Sequence, residues 1–269
     1  WYGSQYQAVQ PLFAAAEARL REALRDPATE RVAALLALGR IRSGQGFLGL
    51  VPGHQAQVEA LRESLALLEQ AERAGEPVSL WERSNTLRRL GARLFNDEEA
   101  EESARCCAQA AELARATGDG YLLGGALHVG GRALITLGRF EEAERWLRET
   151  LALRLPLGSV TALLENYQSL VWVAAQQGRF GEADRWIEEA IALAQRDSLE
   201  TLSPMARRDL AGAAYLQGRF ELAERLWGDQ AAFFRERGLR GVLAGVLLSL
   251  GLAGLMTGRY ADARTRFEE

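Results

Sequence analysis

Lysine is absent: all 32 basic residues among the 269 are Arg. That excludes Schiff-base chemistry on a lysine and any phosphate loop ending in Gly-Lys-Ser/Thr, so no ATPase module of that kind lies in this sequence. Cysteine is nearly absent too, and the two present, Cys106 and Cys107, are neighbours. A bridge between adjacent residues is strained, so no disulfide framework is expected and a reducing, cytoplasmic compartment fits best. The only imidazoles, His54 and His128, lie far apart and lack Cys, Asp or Glu partners at metal-ligand spacing, so no metal or cofactor is expected. No apolar run approaches the roughly 18 residues of a membrane span, and no charged-then-apolar leader opens the chain. A basic surplus is missing as well. With 36 acidic residues and a net charge of −4, a general phosphate-backbone binder is disfavoured.

What is present is enough apolar material for a large core, at 48% hydrophobic residues, and an internal repeat. The segments Gly138-Arg139-Phe140-Glu141-Glu142-Ala143, Gly178-Arg179-Phe180-Gly181-Glu182-Ala183, Gly218-Arg219-Phe220-Glu221-Leu222-Ala223 and Gly258-Arg259-Tyr260-Ala261-Asp262-Ala263 recur with a period of 40 residues. A period in this range means stacked supersecondary units, because each unit's apolar face can be covered only by its neighbours. Within a period the apolar residues return at helical spacing, as in Trp146, Leu147 and Leu151 or Trp186, Ile187 and Ile191. The recurring Gly marks the point where one helix stops and the chain reverses, the adjacent aromatic is expected to wedge between helices, and the Ala three residues on lets two helix axes approach.

Upstream the pattern decays. Gly91 lies 40 residues before Gly131, but the helix that follows, from Glu98 to Ala116, has lost the Gly-Arg-Phe signature. Further back, Leu61–Leu67 echoes Leu147–Leu153 at an offset of 86, six more than two periods, which implies an insertion. Ser43–Gly53 reads as a stretched, unusually apolar turn that either packs over its own repeat, folds toward a groove or docks a neighbouring domain. The expected organisation is a single repeat domain over 1–269: an N-terminal helix (1–27), a divergent repeat with the long turn 43–53 (28–77), a degenerate repeat (78–119) and four 40-residue repeats (120–269), the last cut short. Because the chain opens at Trp1 and stops in an apparent helix at Glu269, a piece of something longer is expected.

The Gly-Arg-Phe/Tyr-x-x-Ala hexad, preceded seven residues earlier by Gly131, Val171, Ala211 or Gly251, resembles the turn and second-helix start of a tetratricopeptide repeat. The resemblance is clear from residue 120 onward and weak before it, and the 40-residue period departs from the family's usual length of about 34. Such longer repeats are similar to those in sensor domains of bacterial signal-transduction ATPases with numerous domains, including activators of the maltose-regulator type. The resemblance implies an all-α fold, a right-handed superhelical solenoid of antiparallel helix pairs with about 13 helices. It also implies a concave groove, lined by the first helices, that holds a peptide, a protein segment or a small effector.

Carried onto this sequence, the family's groove positions are Asn85, Arg88 and Arg89; His128 and Arg132; Glu165, Gln168, Trp172 and Gln176; and Arg208 and Tyr215. The family's clamp for a peptide terminus uses Lys and Asn, and here the corresponding pairs are Arg88 with Ala92, His128 with Arg132, Gln168 with Trp172, and Arg208 with Gly212. The chaperone-tail clamp is therefore absent. What remains are guanidinium groups that bind carboxylate or phosphate in bidentate fashion and aromatics that supply contact area, which points to an anionic or mixed peptide-like ligand. The bland reading of the same residues is a solvated helix face with Arg paired to nearby Glu.

No catalytic constellation is visible. Glu141 with Arg145 and Glu144 with Arg148 stand at helical intervals and read as surface support, and Cys106 and Cys107 read as small buried hydrophobes. The functional expectation is a non-enzymatic sensor of a multidomain signalling ATPase, in which an inducer in the groove relieves autoinhibition by the other domains of its own chain. The alternative is a free-standing scaffold that gathers protein partners without a switch.

Overall fold

The computed structural model of the chain describes residues 2–26, 30–96, 98–196, 211–212 and 214–269. Among the described residues every regular element is helical: α1 (Tyr2–Ala23), α2 (Arg31–Leu48), α3 (His54–Arg73), α4 (Leu80–Arg93), α5 (Ala100–Thr117), α6 (Gly120–Thr136), α7 (Phe140–Arg154), a 3-10 turn (Leu155–Leu157), α8 (Val160–Gln176), α9 (Phe180–Arg196), α10 (Phe220–Glu236), α11 (Arg240–Met256) and α12 (Tyr260–Glu268). Residues 211–212 and 214–216 are helical as well. The all-α expectation holds. The chain divides into two compact units, Trp1–Thr150 and Leu151–Glu269.

In the first unit α2 packs on α3 and α4 on α5, while α1 lies against α2. The first helices of successive hairpins are also neighbours, α2 beside α4 and α4 beside α6, so they share a face. In the second unit α8 packs on α9, α10 on α11, and α11 on α12.

The recurring Gly does what its position predicts. Gly138, Gly178, Gly218 and Gly258 all adopt positive φ, between 71° and 76°. At each, the Gly N–H donates to the carbonyl three residues back and the following Arg N–H to the carbonyl five back, as in Gly138 to Ile135 (3.0 Å) and Arg139 to Leu134 (2.9 Å). This pair of hydrogen bonds satisfies orphan carbonyls of the preceding helix, and a Cβ at the Gly would strain the left-handed backbone. Ala143, Ala183, Ala223 and Ala263 are all buried. The aromatic of the hexad is less uniform: Phe180 and Tyr260 are exposed at 54% and 68%, so a wedge between helices does not describe all four positions.

The degenerate repeats keep the close helix contact by other means. Ser103 Oγ donates to the Gly91 carbonyl and Ser64 Oγ to the Gly39 carbonyl, each at 2.7 Å and each buried. Ser103 follows Gly91 by 12 residues, as Ala143 follows Gly131, so serine occupies the alanine position and satisfies its own hydroxyl.

The stretch 43–53 differs from expectation. It is helical through Leu48, and the turn proper spans only 49–53, with Gly49 at φ 69° closing α2. Gly44 and Gly46, which read as turn residues, are helix-packing residues. A Cβ on Gly46 would stand 2.6 Å from the Gln57 carbonyl oxygen and 2.7 Å from Leu61 Cγ, and one on Gly44 would stand 2.8 Å from the Phe13 ring. Glycine is there for close approach between helices, not for chain reversal. The extra helical turn carries the half-buried Phe47 against Arg88 and Arg89 of α4.

Candidate functional site

The shared face of the first helices carries its most unusual chemistry on α4. Trp81, Asn85, Arg88, Arg89 and Arg93 recur at helical intervals, while Leu87 and Leu90 of the same helix are buried in the core. Trp81 Nε1 donates to Asp119 Oδ2 (3.0 Å), and Asp119 Oδ1 in turn caps α6 by accepting from the Leu122 N–H (2.9 Å). One carboxylate thus joins the starts of α4 and α6.

Arg88 Nη2 donates to Asn85 Oδ1 (2.9 Å), and its stem crosses α6 at Gly125, where a Cβ would lie 3.0 Å from Arg88 Cδ. Arg89 Nη1 donates to Ser43 Oγ (3.0 Å), which is itself 3.2 Å from Thr86 Oγ1 in the interior between α2 and α4. Both guanidinium groups lie over the Phe47 ring, at 4.8 Å for Arg89 and 5.8 Å for Arg88, and Arg93 donates to the Phe47 carbonyl. Arg132 of α6 stacks on Phe95 at 4.5 Å.

None of these four arginines has a carboxylate partner among the described residues, and Arg89 Nε is buried without an acceptor. Three other half-buried arginines, by contrast, are paired: Arg42 with Glu63 at 2.6 Å, Arg83 with Glu72 at 2.7 Å, and Arg179 with Glu182. Burial holds Arg88 below the usual guanidinium range, and Arg89 is lowered by burial and then by the neighbouring Arg88 charge. Beside Arg89 a pocket of about 110 Å³ opens between α2 and α4, lined by Ser43, Asn85, Thr86 and Trp81 and by the Arg40–Glu82 ion pair.

The sequence-predicted positions divide accordingly. Asn85, Arg88, Arg89, His128 and Arg132 belong to the first unit, on α4 and α6. Asn85 and His128 are buried, at 7% and 5% exposure, and Asn85 still lines the pocket beside Arg89. Glu165, Gln168, Trp172 and Gln176 recur along one side of α8 in the second unit, the first three half-buried and Gln176 exposed. Tyr215 packs on Phe220 (5.4 Å) and Trp227 (5.7 Å), which ties it into an aromatic cluster. Arg208 lies outside the described residues. Sequence reasoning left Trp81 and Arg93 out of the site, and singled out Ser43 and Phe47 only as part of a stretched turn with a fold toward the groove among its alternatives. Arg93 was readable, four residues beyond Arg89 on an inferred helix; Phe47 was not, because its segment read as a turn.

Cys106 and Cys107 are both buried; burial pushes the Cys106 thiol up to about 11 and Cys107 higher still. Neither is a poised nucleophile. Among the described residues no cluster of His, Cys, Asp or Glu could hold a metal ion, and no helix is long and apolar enough to cross a membrane.

Residues 124–155 match the tetratricopeptide repeat family model. No curated protein sequence matches the chain. Among solved structures, aspartyl phosphate phosphatase F from Bacillus subtilis superposes with a TM-score of 0.66 at 12% identity, over 98% of this chain and 66% of its own. A signal transduction ATPase with numerous domains from Pyrococcus horikoshii, with a tetratricopeptide repeat sensor, gives 0.60 at 12% identity over 93% of this chain and 38% of its own. A Rap protein complexed with Competence and Sporulation Factor gives 0.51 at 15% identity, over 98% of this chain and 73% of its own. The chain thus spans slightly less than two thirds of the phosphatase and well under half of the ATPase.

Proposed function

Taking the chain as a helical-repeat protein with a tetratricopeptide-like fold, we propose that it is a non-enzymatic binding module for a peptide or protein segment, seated on the first helices of its hairpins. The observation that carries this reading is the shared face of α2, α4 and α6, where arginines stand without carboxylate partners among the described residues. A face that was only solvated support would pair them, as Arg62 is paired with Glu102 and Arg115 with Glu149 on the second helices. On α8 of the second unit, Glu165, Gln168, Trp172 and Gln176 are the corresponding binding positions, with Trp172 as the contact of largest area. Arg208, at the equivalent sequence position, belongs to the same proposal.

The finer reading is the sensor of a multidomain signalling ATPase, in which the bound inducer favours the active state by binding it more tightly than the resting one. The ATPase from Pyrococcus horikoshii supports this, because it carries such repeats as a sensor within a longer chain. The Rap protein's complex with a factor supports a second reading, in which the repeats act as a binding platform without an ATPase. The partner in this proposal is a protein or peptide, and the two free, buried thiols are consistent with a cytoplasmic location as part of the same reading. Whether a nucleotide-binding domain is encoded in the same reading frame separates the two readings. For the shared claim, Arg132→Ala and Trp172→Ala are made separately and partner affinity is measured by calorimetry. Each is expected to weaken binding several-fold without changing the thermal midpoint, and unchanged affinity in both would remove the first helices of the hairpins from the reading.

A further inference from the structure

The arginines of α4 define a narrower site within the proposed binding face, and this inference rests on that reading. We propose that Arg88 and Arg89, stacked over Phe47, form a subsite for one carboxylate group of a peptide, entering the cleft between α2 and α4.

Three independent observations lead there. First, Arg88 and Arg89 are adjacent, half-buried cations with no carboxylate near them among the described residues, so their mutual repulsion and desolvation are uncompensated. Second, of the five N–H donors on each guanidinium, Arg88 uses one on Asn85 and Arg89 one on Ser43, and Arg89 Nε is shut away from water with no acceptor. A buried unsatisfied donor on a charged group is costly in the free protein, and the remaining Nη donors are the ones a ligand can reach. Third, space has been kept for this arrangement. Gly125 on α6 lets Arg88 lie flat where a Cβ would press on its stem, and the pocket beside Arg89 has room for several water-sized groups.

Among the described residues the only carboxylate lining that pocket is Glu82, and it is held by Arg40. The cleft is therefore not neutralised from within. A carboxylate fits the forked donors in a bidentate manner, with Phe47 backing the guanidinium groups and Trp81 and Leu68 lining the pocket beside them. That carboxylate comes from an acidic side chain or from a peptide's own C-terminus, two sources of the same chemistry.

The test uses the full chain and fluorescein-labelled probes: hexaglutamate with blocked ends, hexaglutamine with blocked ends, and hexaglutamine with a free C-terminus. Thermal midpoints are recorded in parallel in sodium glutarate and in sodium chloride at matched ionic strength. Blocked hexaglutamate is expected to bind about tenfold more tightly than blocked hexaglutamine, the difference expected of one charge-assisted pair. The Arg88→Gln/Arg89→Gln variant should erase that difference, whereas Arg115→Gln, on an exposed ion pair, should keep it. Glutarate should raise the midpoint of the wild type and not of the double variant. Tighter binding of free-ended than of blocked hexaglutamine identifies the C-terminus as a source; equal binding assigns the subsite to side chains. A preference for hexaglutamate that survives in the double variant overturns the proposal. Equal binding of all probes with no glutarate effect overturns the subsite and leaves the peptide-binding face intact. Glutarate stabilisation through Arg88 and Arg89 with no peptide bound leaves the anion site standing and overturns the peptide reading.

Discussion

The two units are built by the same rules and put to different use. In the second, the Gly-Arg turn recurs with the same pair of backbone bonds at Gly178, Gly218 and Gly258, and the small Ala of each hexad is buried. In the first, only the Gly138 hexad survives, serine replaces alanine at Ser103, and Gly44, Gly46, Gly91 and Gly130 sit inside helices against backbone and side chains, a use the second unit makes at Gly251 and Gly254. The unpaired half-buried arginines of α4 lie in this irregular part. Regularity supplies the stack; departure from it accompanies the site. That is the expected pattern where local rules are broken for a functional reason.

The comparison can be broken most forcefully at the glycines. Gly46→Ala places a methyl against the Gln57 carbonyl and Leu61, neither of which is a flexible side-chain tip. It should destabilise by about 2–3 kcal/mol in urea unfolding, as overpacking does. Gly245→Ala, in an exposed stretch of α11 with nothing within 4 Å, should instead stabilise by roughly 0.5–1 kcal/mol. Equal effects at the two positions would deny that the first unit uses glycine for close packing.

The shared framework is tested by Ala143→Leu and Ala223→Leu, one in each unit. Both side chains are fully buried, and each substitution should cost about 1–3 kcal/mol. Unequal losses would show that the repeated Ala is not equivalent across the units. Because both cysteines lie in the first unit, thiol labelling reports on that unit alone. At pH 8 Cys107 should stay unmodified in the native protein and become reactive in Gly46→Ala, not in Ala223→Leu.

How much of this was legible in advance follows the same division. The period, the turn Gly and the buried Ala were readable because backbone geometry at Gly138, Gly178, Gly218 and Gly258 admits few alternatives. The face of α4 was readable from helical spacing. The extension of α2 was not: Gly44, Gly46 and Gly49 look alike in sequence, yet only Gly49 has positive φ, the other two being required by neighbours distant in the chain. With that misread, Phe47 could not be placed under Arg88 and Arg89. Asn85 and His128 were assigned to the open face because helical phase gives direction but not depth.

The smallest effect concerns acid. Burial pushes the Glu17 carboxyl up, but hydrogen bonds from Gln45 and Arg21 and the charge of Arg42 more than offset it, leaving the group below the usual carboxylate range. A depressed folded value contributes stability that is present at neutral pH and lost as pH falls through that folded value. Glu17→Gln should therefore flatten the acid limb of stability against pH, measured by urea midpoints.

The central claim is that α4 carries charge kept for a ligand at the expense of the free fold. Its most direct test is the stability of Arg89→Met in chloride buffer without peptide or dicarboxylate. Methionine keeps an apolar contact with Phe47, Ser43 retains Thr86 as a partner, and the uncompensated cation is gone. The account predicts a variant at least as stable as the wild type. A loss of about 2 kcal/mol or more, the range of a broken buried network, would make Arg89 a structural strut and contradict the claim.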